Sequence, residues 1–304
     1  MPTQPPESSS LCSAKVWTPR AWLACAPGEV PTMLWIAFLH LSAIVGLILL
    51  PLPPLSAMIV MLAALFIGGL GTTIVYHRAL AHRAVTVNPV IEQFFIFFAM
   101  FNGSGSPCNW VGNHRHHHTH SDRPGDISSP HHGGFWWSHL RWLWQADQRA
   151  ARRHVRDLAS TQYTMWSMLQ PLVLALALGL GALWFIEVPW RDALAAMLWL
   201  GPIRLLWALL VQCSVNSVCH LGPQDGGEGS SINVGWLLFA HLGQGENWHG
   251  NHHSRPSSER IGNGWQLDIG WLTIRALRLF GLASVPKRSS KAALQPAAMA
   301  ESAV

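Results

Sequence analysis

Between Glu29 and Arg78 the chain carries no charged side chain, and the stretch PLPP, Pro51 to Pro54, interrupts this run near its middle. Each half approaches the roughly 20 apolar residues needed to cross a bilayer as a helix, which predicts spans at 33–50 and 55–76. A further uncharged run from Leu158 to Ile186, and another from Ala193 to Asn216 broken only by Arg204, predict spans at 164–186 and 193–216, hinged at EVPW, Glu187 to Trp190. Two hairpins of two helices follow. Composition agrees: of 304 residues half are hydrophobic and 12 % charged, too apolar for an ordinary soluble domain. The seventeen tryptophans suit the water–lipid boundary.

The segment Val90 to Ser106 is also apolar, but it carries Glu92, Asn102 and a Gly/Ser/Pro cluster that would leave backbone groups unsatisfied in lipid. It is expected to re-enter or to lie along the interface. Arg115, Arg123, Arg141, Arg149, Arg152, Arg153 and Arg156 lie between the hairpins, more basic residues follow Gly222, and the hairpin turns offer only Arg191. By the positive-inside rule the termini and the central loop face the cytoplasm. The net charge of +5 is therefore read as topology, and no nucleic-acid partner is expected. The N-terminal residues lack a basic segment followed at once by a cleavable apolar core, so the first span is expected to be retained.

Cys12, Cys25, Cys108, Cys213 and Cys219 have no CxxC spacing, which suggests free thiols and neither a disulfide framework nor an iron–sulfur site. The expected organisation is an all-α integral membrane protein. Residues 1–31 form a largely disordered cytoplasmic segment, 32–285 the membrane domain with a helical cytoplasmic cap from 107–163 and 217–285, and 286–304 a disordered tail.

Histidine is concentrated where these spans end. His77 and His82 (HRALAH) sit where the second span meets the cytoplasm, and their five-residue spacing reaches one point only if the helix loosens there. His114, His117 and His118 (HRHHH) are i, i+3, i+4 and share one helical face; His249, His252 and His253 (HGNHH) repeat that spacing. Asn216 and His220 form an i, i+4 pair where the fourth span emerges. Protonated, nine such rings would repel one another and carry a desolvation cost, whereas neutral imidazole bound to a metal satisfies each. Nine nitrogens exceed the four of a structural zinc, so two ions with four or five ligands apiece divide the set. Imidazole alone admits zinc, copper, iron or nickel. A ligand-rich site at the lipid boundary suits oxygen activation against an unactivated C–H bond, for which zinc offers no redox step.

These residues resemble the integral-membrane fatty acid desaturases, particularly the delta-9 acyl-CoA and bacterial acyl-lipid type. The likeness covers roughly Gly71 to Ala283 and rests on YHRALAHR, WVGNHRHHHTHSD, GFWWSH, NSVCHLG and GENWHGNHH in the family's order, with LDIGWLTIRALRLFGLA as its closing helix. The resemblance implies four spans under a cytoplasmic cap in a bacterial inner membrane. It also implies two iron ions cycling between Fe2+ and Fe3+, held by His77, His82, His114, His117, His118, His220, His249, His252 and His253, with Asn216 holding a water on one of them. His116 and His120 fall off the ligand face. Ligating imidazoles usually donate their other N–H to a carboxylate or carbonyl; Asp122, four residues after His118, and Glu246, three before His249, are placed for this, with Asp126 a similar candidate. Arg78 and Arg115 are expected to pair with these acids or with a polar head group.

The chain departs from the family at DISSP, where Ser128 takes a histidine's position with His131 and His132 just beyond, and at Arg141, Asn247 and Gly250. None is a predicted ligand, but the surroundings of Ser128 to Trp144 are where a carrier would dock. Arg141, Arg149, Arg152 and Arg153 are candidates there for a phosphate or a lipid surface. The implied reaction removes two hydrogens from an acyl chain carried by CoA, acyl-carrier protein or a lipid. It consumes molecular oxygen and draws electrons from a ferredoxin-like or haem-containing donor. A hydroxylase or acetylenase on the same scaffold, and a metal-binding membrane protein without catalysis, are the alternatives. A zinc hydrolase would want a base as in HExxH, which is absent.

Overall fold

The computed structural model describes residues 18–223 and 229–286. The disorder expected at the two ends falls on 1–17 and 287–304, outside the described residues, as does Cys12. The other cysteines are free thiols. The remainder of the N-terminal segment is ordered. A short helix, Pro19–Leu23, is capped by Thr18 and sets Trp22 against Trp136 and Trp144 with ring centres 6.2 and 6.3 Å away. Gln145 Nε2 and Trp144 Nε1 donate to the carbonyls of Ala21 and Trp22.

Among the described residues, four helices are long and apolar enough to cross a membrane: Val30–Leu49, Leu55–Ala81, Thr161–Ile186 and Trp190–Val218. Pro31 sits in the first turn of the first, where its missing N–H has no intrahelical partner to lose; extended backbone at Pro54 and Pro189 precedes the second and fourth. Many of their large apolar side chains, such as Leu41, Ile48, Ile59, Met168 and Leu172, point outward, as expected where lipid is the solvent. The fourth span packs against each of the other three. It contains Pro202 within a widened turn, Trp199–Ile203, where proline removes a backbone donor.

The apolar segment between the second span and the HRHHH stretch is a helix, Pro89–Phe101, capped by Asn88. Its 13 residues rise about 20 Å, short of the ~30 Å hydrocarbon core. It lies close along the second span because Gly71 leaves room: a Cβ there would stand 2.3 Å from the carbonyl oxygen of Phe95. A two-residue antiparallel ladder, Thr86 opposite Ser284 and Val87 opposite Ala283, ties the exit of the second span to the end of the closing helix Ile269–Leu279 and is the one departure from an all-helical fold among the described residues.

Candidate metal centre

The second span does loosen where HRALAH required it. From Gly71 to Ala81 it is a π-helix, and the His82 N–H donates to the His77 carbonyl at 3.1 Å, an i to i+5 bond. This wider turn brings rings five residues apart to a centroid distance of 5.0 Å. The HRHHH run lies in the helix Pro107–His120, capped by Ser106, and the HGNHH run in the short helix His249–Ser254.

Nine histidines from these elements and the fourth span's exit converge in two groups. His77, His82, His114, His118 and His252 form one, and His117, His220, His249 and His253 the other, with the available ligand atoms in each within 4.8 Å of one another. In the first, Nε2 atoms face each other at 3.0 Å (His77 and His252), 2.7 Å (His82 and His114) and 2.9 Å (His118 and His252). In the second the distances are 3.0 Å for His220 and His249, 3.0 Å for His249 and His253, and 3.4 Å for His117 and His253. The rings of His118 and His253 stack at 4.4 Å and join the groups.

Carboxylates hold three of these rings from behind. His77 Nδ1 donates to Glu246 at 2.9 Å, His117 Nδ1 to Asp126 at 2.8 Å and His220 Nδ1 to Asp122 at 2.7 Å. An ionised carboxylate only accepts, so these bonds place the proton on Nδ1 and leave Nε2 as a bare lone pair directed into the cluster. Each acid is fixed in turn. Asp122 accepts from Ser129 and from the hydroxyl and N–H of Ser230; Asp126 accepts from the N–H groups of Asp122 and Ser128 and from the Ser128 hydroxyl; Glu246 accepts from Thr73.

Burial, the largest single influence, opposes charge on all three carboxyls, but the facing histidine together with the other hydrogen bonds, and for Glu246 the charge of Arg78, outweighs it. Asp122 and Asp126 lie well below the usual carboxylate range and Glu246 at about 2. Burial, and then the neighbouring rings, lower His114, His118, His249, His252 and His253, favouring neutral imidazole. His117 differs: burial lowers it, but Asp126 carries it above its ordinary value.

The arrangement fits a pair of transition-metal ions. Inward-facing lone pairs at hydrogen-bond distance, without enough protons to satisfy them, are stabilised by a shared cation, and the buried Nδ1 of His249 has no hydrogen-bond partner. The donor set is all imidazole, which suits zinc, copper, iron or nickel.

The expected carboxylates meet rings remote in sequence. Asp122 holds His220 and not His118, and Glu246 holds His77 and not His249. The pairing expected for the arginines is corrected. Arg78, 1 % exposed, forms a buried ion pair with Asp268 at 2.8 Å and donates to the Gln244 and Glu259 carbonyls, while Arg115 pairs with Asp157 at 2.7 Å. Arg141 is buried beneath Trp22 and donates to Gln145 and the Ala21 carbonyl, so it is no phosphate receptor; Arg149 pairs with Asp147. His116 and His120 stand apart with His154, and His116 Nε2 bonds the Gly125 carbonyl. His131 reaches the His220 carbonyl and His132 that of Asp122, so both brace the centre from outside.

Asp268 was missed as a support. Its position as N-cap of the closing helix is visible in LDIGW, but its pairing with Arg78 is not. Trp110, one turn before His114, stacks on that ring at 4.9 Å and was also missed.

A cavity of about 820 Å3 opens beside the centre. His114, His117, His249, Glu246 and Asn216 line one part of it, and apolar or small residues of all four spans, among them Ile36, Leu65, Leu178 and Ala208, line the rest. A slot between membrane helices that ends on a cluster of metal-ligand side chains can hold an extended apolar chain with one stretch beside the centre.

A polyhistidine centre beside a cavity between membrane-spanning helices is the arrangement of a metal-dependent membrane enzyme whose substrate carries an apolar chain. Residues 52–261 match the model of the fatty acid desaturase family. The chain is 36 % identical over 240 residues to delta-9 acyl-lipid desaturase 1 of Arabidopsis thaliana, covering 77 % of this chain and 76 % of that protein. It is 33 % identical over 232 residues to the sn-1 stearoyl-lipid 9-desaturase of Anabaena variabilis (74 % and 81 %) and 33 % identical over 237 residues to the icosanoyl-CoA 5-desaturase of Limnanthes douglasii (75 % and 64 %). The chain belongs to the fatty acid desaturase family. It is a membrane oxidoreductase that desaturates fatty acyl chains.

Proposed function

We propose that the protein is an oxygen-dependent acyl desaturase with two iron ions. His77, His82, His114, His118 and His252 hold one ion, and His117, His220, His249 and His253 hold the other. Asn216, one helical turn before His220 on the cavity wall, contributes through a water. Bound there, the iron pair would supply the redox chemistry through which O2 acts as the oxidant. The overall balance is that the chain gives up two hydrogens and an outside donor supplies two electrons with two protons, so that O2 leaves as two waters.

The chain's own residues do the rest. Glu246, Asp126 and Asp122 fix the tautomer and aim of His77, His117 and His220, and the Arg78–Asp268 pair anchors the π-helical segment carrying His77. The walls exclude bulk water from the acyl chain and set which carbons lie beside His114, His117 and His249. The carrier is CoA, acyl-carrier protein or a lipid, and the electron donor is a ferredoxin-like or haem protein docking on the basic face. That face, with both termini and the regions 107–163 and 217–285, is cytoplasmic; the spans form two hairpins within a membrane domain of 32–285.

The observation that carries this reading is the convergence of nine imidazoles, with Nε2 atoms inward and carboxylates behind, at the cavity wall. The test is anaerobic reduction of the iron-loaded protein in lipid, followed by oxygen, with stearoyl-CoA, stearoyl-acyl-carrier protein and distearoyl phospholipid in separate reactions. A mono-unsaturated product with one of them, and loss of both product and iron in His117→Ala and His252→Ala, is expected. Full turnover in either variant contradicts the ligand assignment.

A further inference from the structure

A guanidinium lies buried far from either histidine group. Arg204 stands near the middle of the fourth span, Trp190–Val218, and is 0 % exposed. An ionisable group at such depth is costly and is retained for a reason. No carboxylate pairs with it among the described residues. Its partners are instead the C-terminal end of Pro89–Phe101. Arg204 donates to the Phe101 carbonyl at 3.1 Å, to the side-chain oxygen of Asn102, and to the Leu200 carbonyl of its own helix, with its charge 4.7 Å from the centre of the Phe101 ring. Free carbonyls at a helix C-terminus carry partial negative charge, so the fourth span supplies the cation that caps this helix.

Both ends of the Asn102 amide are thereby committed. Its oxygen is held by Arg204 and its Nδ2 donates to the Leu65 carbonyl of the second span at 3.1 Å. Gly68 is needed for this approach, since a Cβ there would come within 2.5 Å of the Asn102 side chain. Asn102 also lines the cavity. Thr73, Thr72, Gly69 and Leu65 follow one another along the cavity wall of the second span, and none of residues 55–64 reaches it. Thr73 touches Glu246, which holds His77, so Leu65, eight residues further, lies about 12 Å deeper. On the fourth span the lining stops at Trp207, one turn from Arg204. On the third span the lining reaches Leu178, whose backbone lies against Gly201, so the deep end of the cavity lies near the level of the Arg204–Asn102 bridge, with Asn102 in its wall.

We propose that Arg204, acting through Asn102, sets the inner end of the acyl cavity and so fixes how much chain lies beyond the reacting carbons. Arg204 is a positioning residue, and Asn102 is the contact that determines chain length and double-bond position. The inference rests on the desaturase reading above.

The test uses the full-length protein with an equimolar mixture of saturated substrates differing by two carbons. Products are identified by gas chromatography and mass spectrometry of double-bond derivatives, with bound iron measured in parallel. Asn102→Ala opens the floor and is expected to raise the ratio of longer to shorter products roughly tenfold, the discrimination a pocket achieves per methylene. Asn102→Gln, which keeps the guanidinium's partner but lengthens the side chain, is expected to move the ratio the other way. Arg204→Met releases Asn102 and is expected to follow Asn102→Ala, with Arg204→Lys restoring part of the wild-type profile. Because both Asn102 variants leave the arginine in place, misfolding of Arg204→Met does not hide the result. Product ratios and double-bond position unchanged in both Asn102 variants, with product still formed, overturn the inference alone. Absence of unsaturated product from the wild-type protein overturns the reaction and this inference with it.

Discussion

At the level of single residues the centre depends on groups that never touch a metal-directed nitrogen. Asp126 is buried and accepts four hydrogen bonds, one of them from His117 Nδ1. Asp126→Asn leaves the packing nearly unchanged but replaces a pure acceptor by an amide that can also turn its donor toward the ring, so Nε2 is no longer reliably the free nitrogen. Removing such an orienting group typically weakens metal binding by about 10–100-fold. Asp126→Asn and Asp122→Asn are therefore expected to lower retained iron in a chelator competition, with the protein still folded by circular dichroism. Unchanged retention in both would mean the carboxylates brace the loops and not the rings. The nine histidines were legible in the sequence because their i, i+3, i+4 repeats and span-end positions are local. The carboxylates were legible only as neighbours: Asp122 and Glu246 find partners 98 and 169 residues away, a pairing that spacing alone does not encode.

Among the elements, the four apolar helices were readable because an uncharged run has few other folds open to it. Their ends were harder. The second helix continues to Ala81, past the point where hydropathy falls, because its last turns are buried by protein and not by lipid: every residue from Gly71 to Ala81 is buried. The loosened turn followed from the five-residue spacing of HRALAH, but the neighbour that occupies the space beside it did not. That neighbour is Pro89–Phe101, seated against Gly71. Gly71→Ala would push a methyl group into the Phe95 carbonyl, and overpacking of this kind costs about 1–3 kcal/mol. A lower unfolding midpoint in detergent and weaker iron retention are expected together, since the same π-helical segment carries His77. A midpoint equal to wild type would show that the two helices separate freely at this point.

For the whole molecule, the side of the membrane on which the centre lies decides where electrons come from. The exposed arginines cluster on the face that carries the histidines: Arg149, Arg152, Arg153 and Arg156 after the HRHHH helix, and Arg255 beside HGNHH. At the opposite ends of the spans, the link after Val30–Leu49 has no charged residue, and Arg191 alone of the basic residues opens the fourth. Insertion retains arginine-rich short loops on the cytoplasmic side, so the proposed orientation predicts that Leu52, exposed in the link between the first two spans, faces away from the cytoplasm and that Ser254, exposed beside the histidines, faces it. Single added cysteines at these positions, in a background where the natural cysteines are replaced by alanine or serine, report this directly through a membrane-impermeant maleimide. Leu52→Cys is expected to react in intact cells, and Ser254→Cys only after the membrane is opened. The reverse pattern would place the centre on the far side, out of reach of a cytoplasmic donor, and would require that its reducing equivalents arrive within the membrane itself.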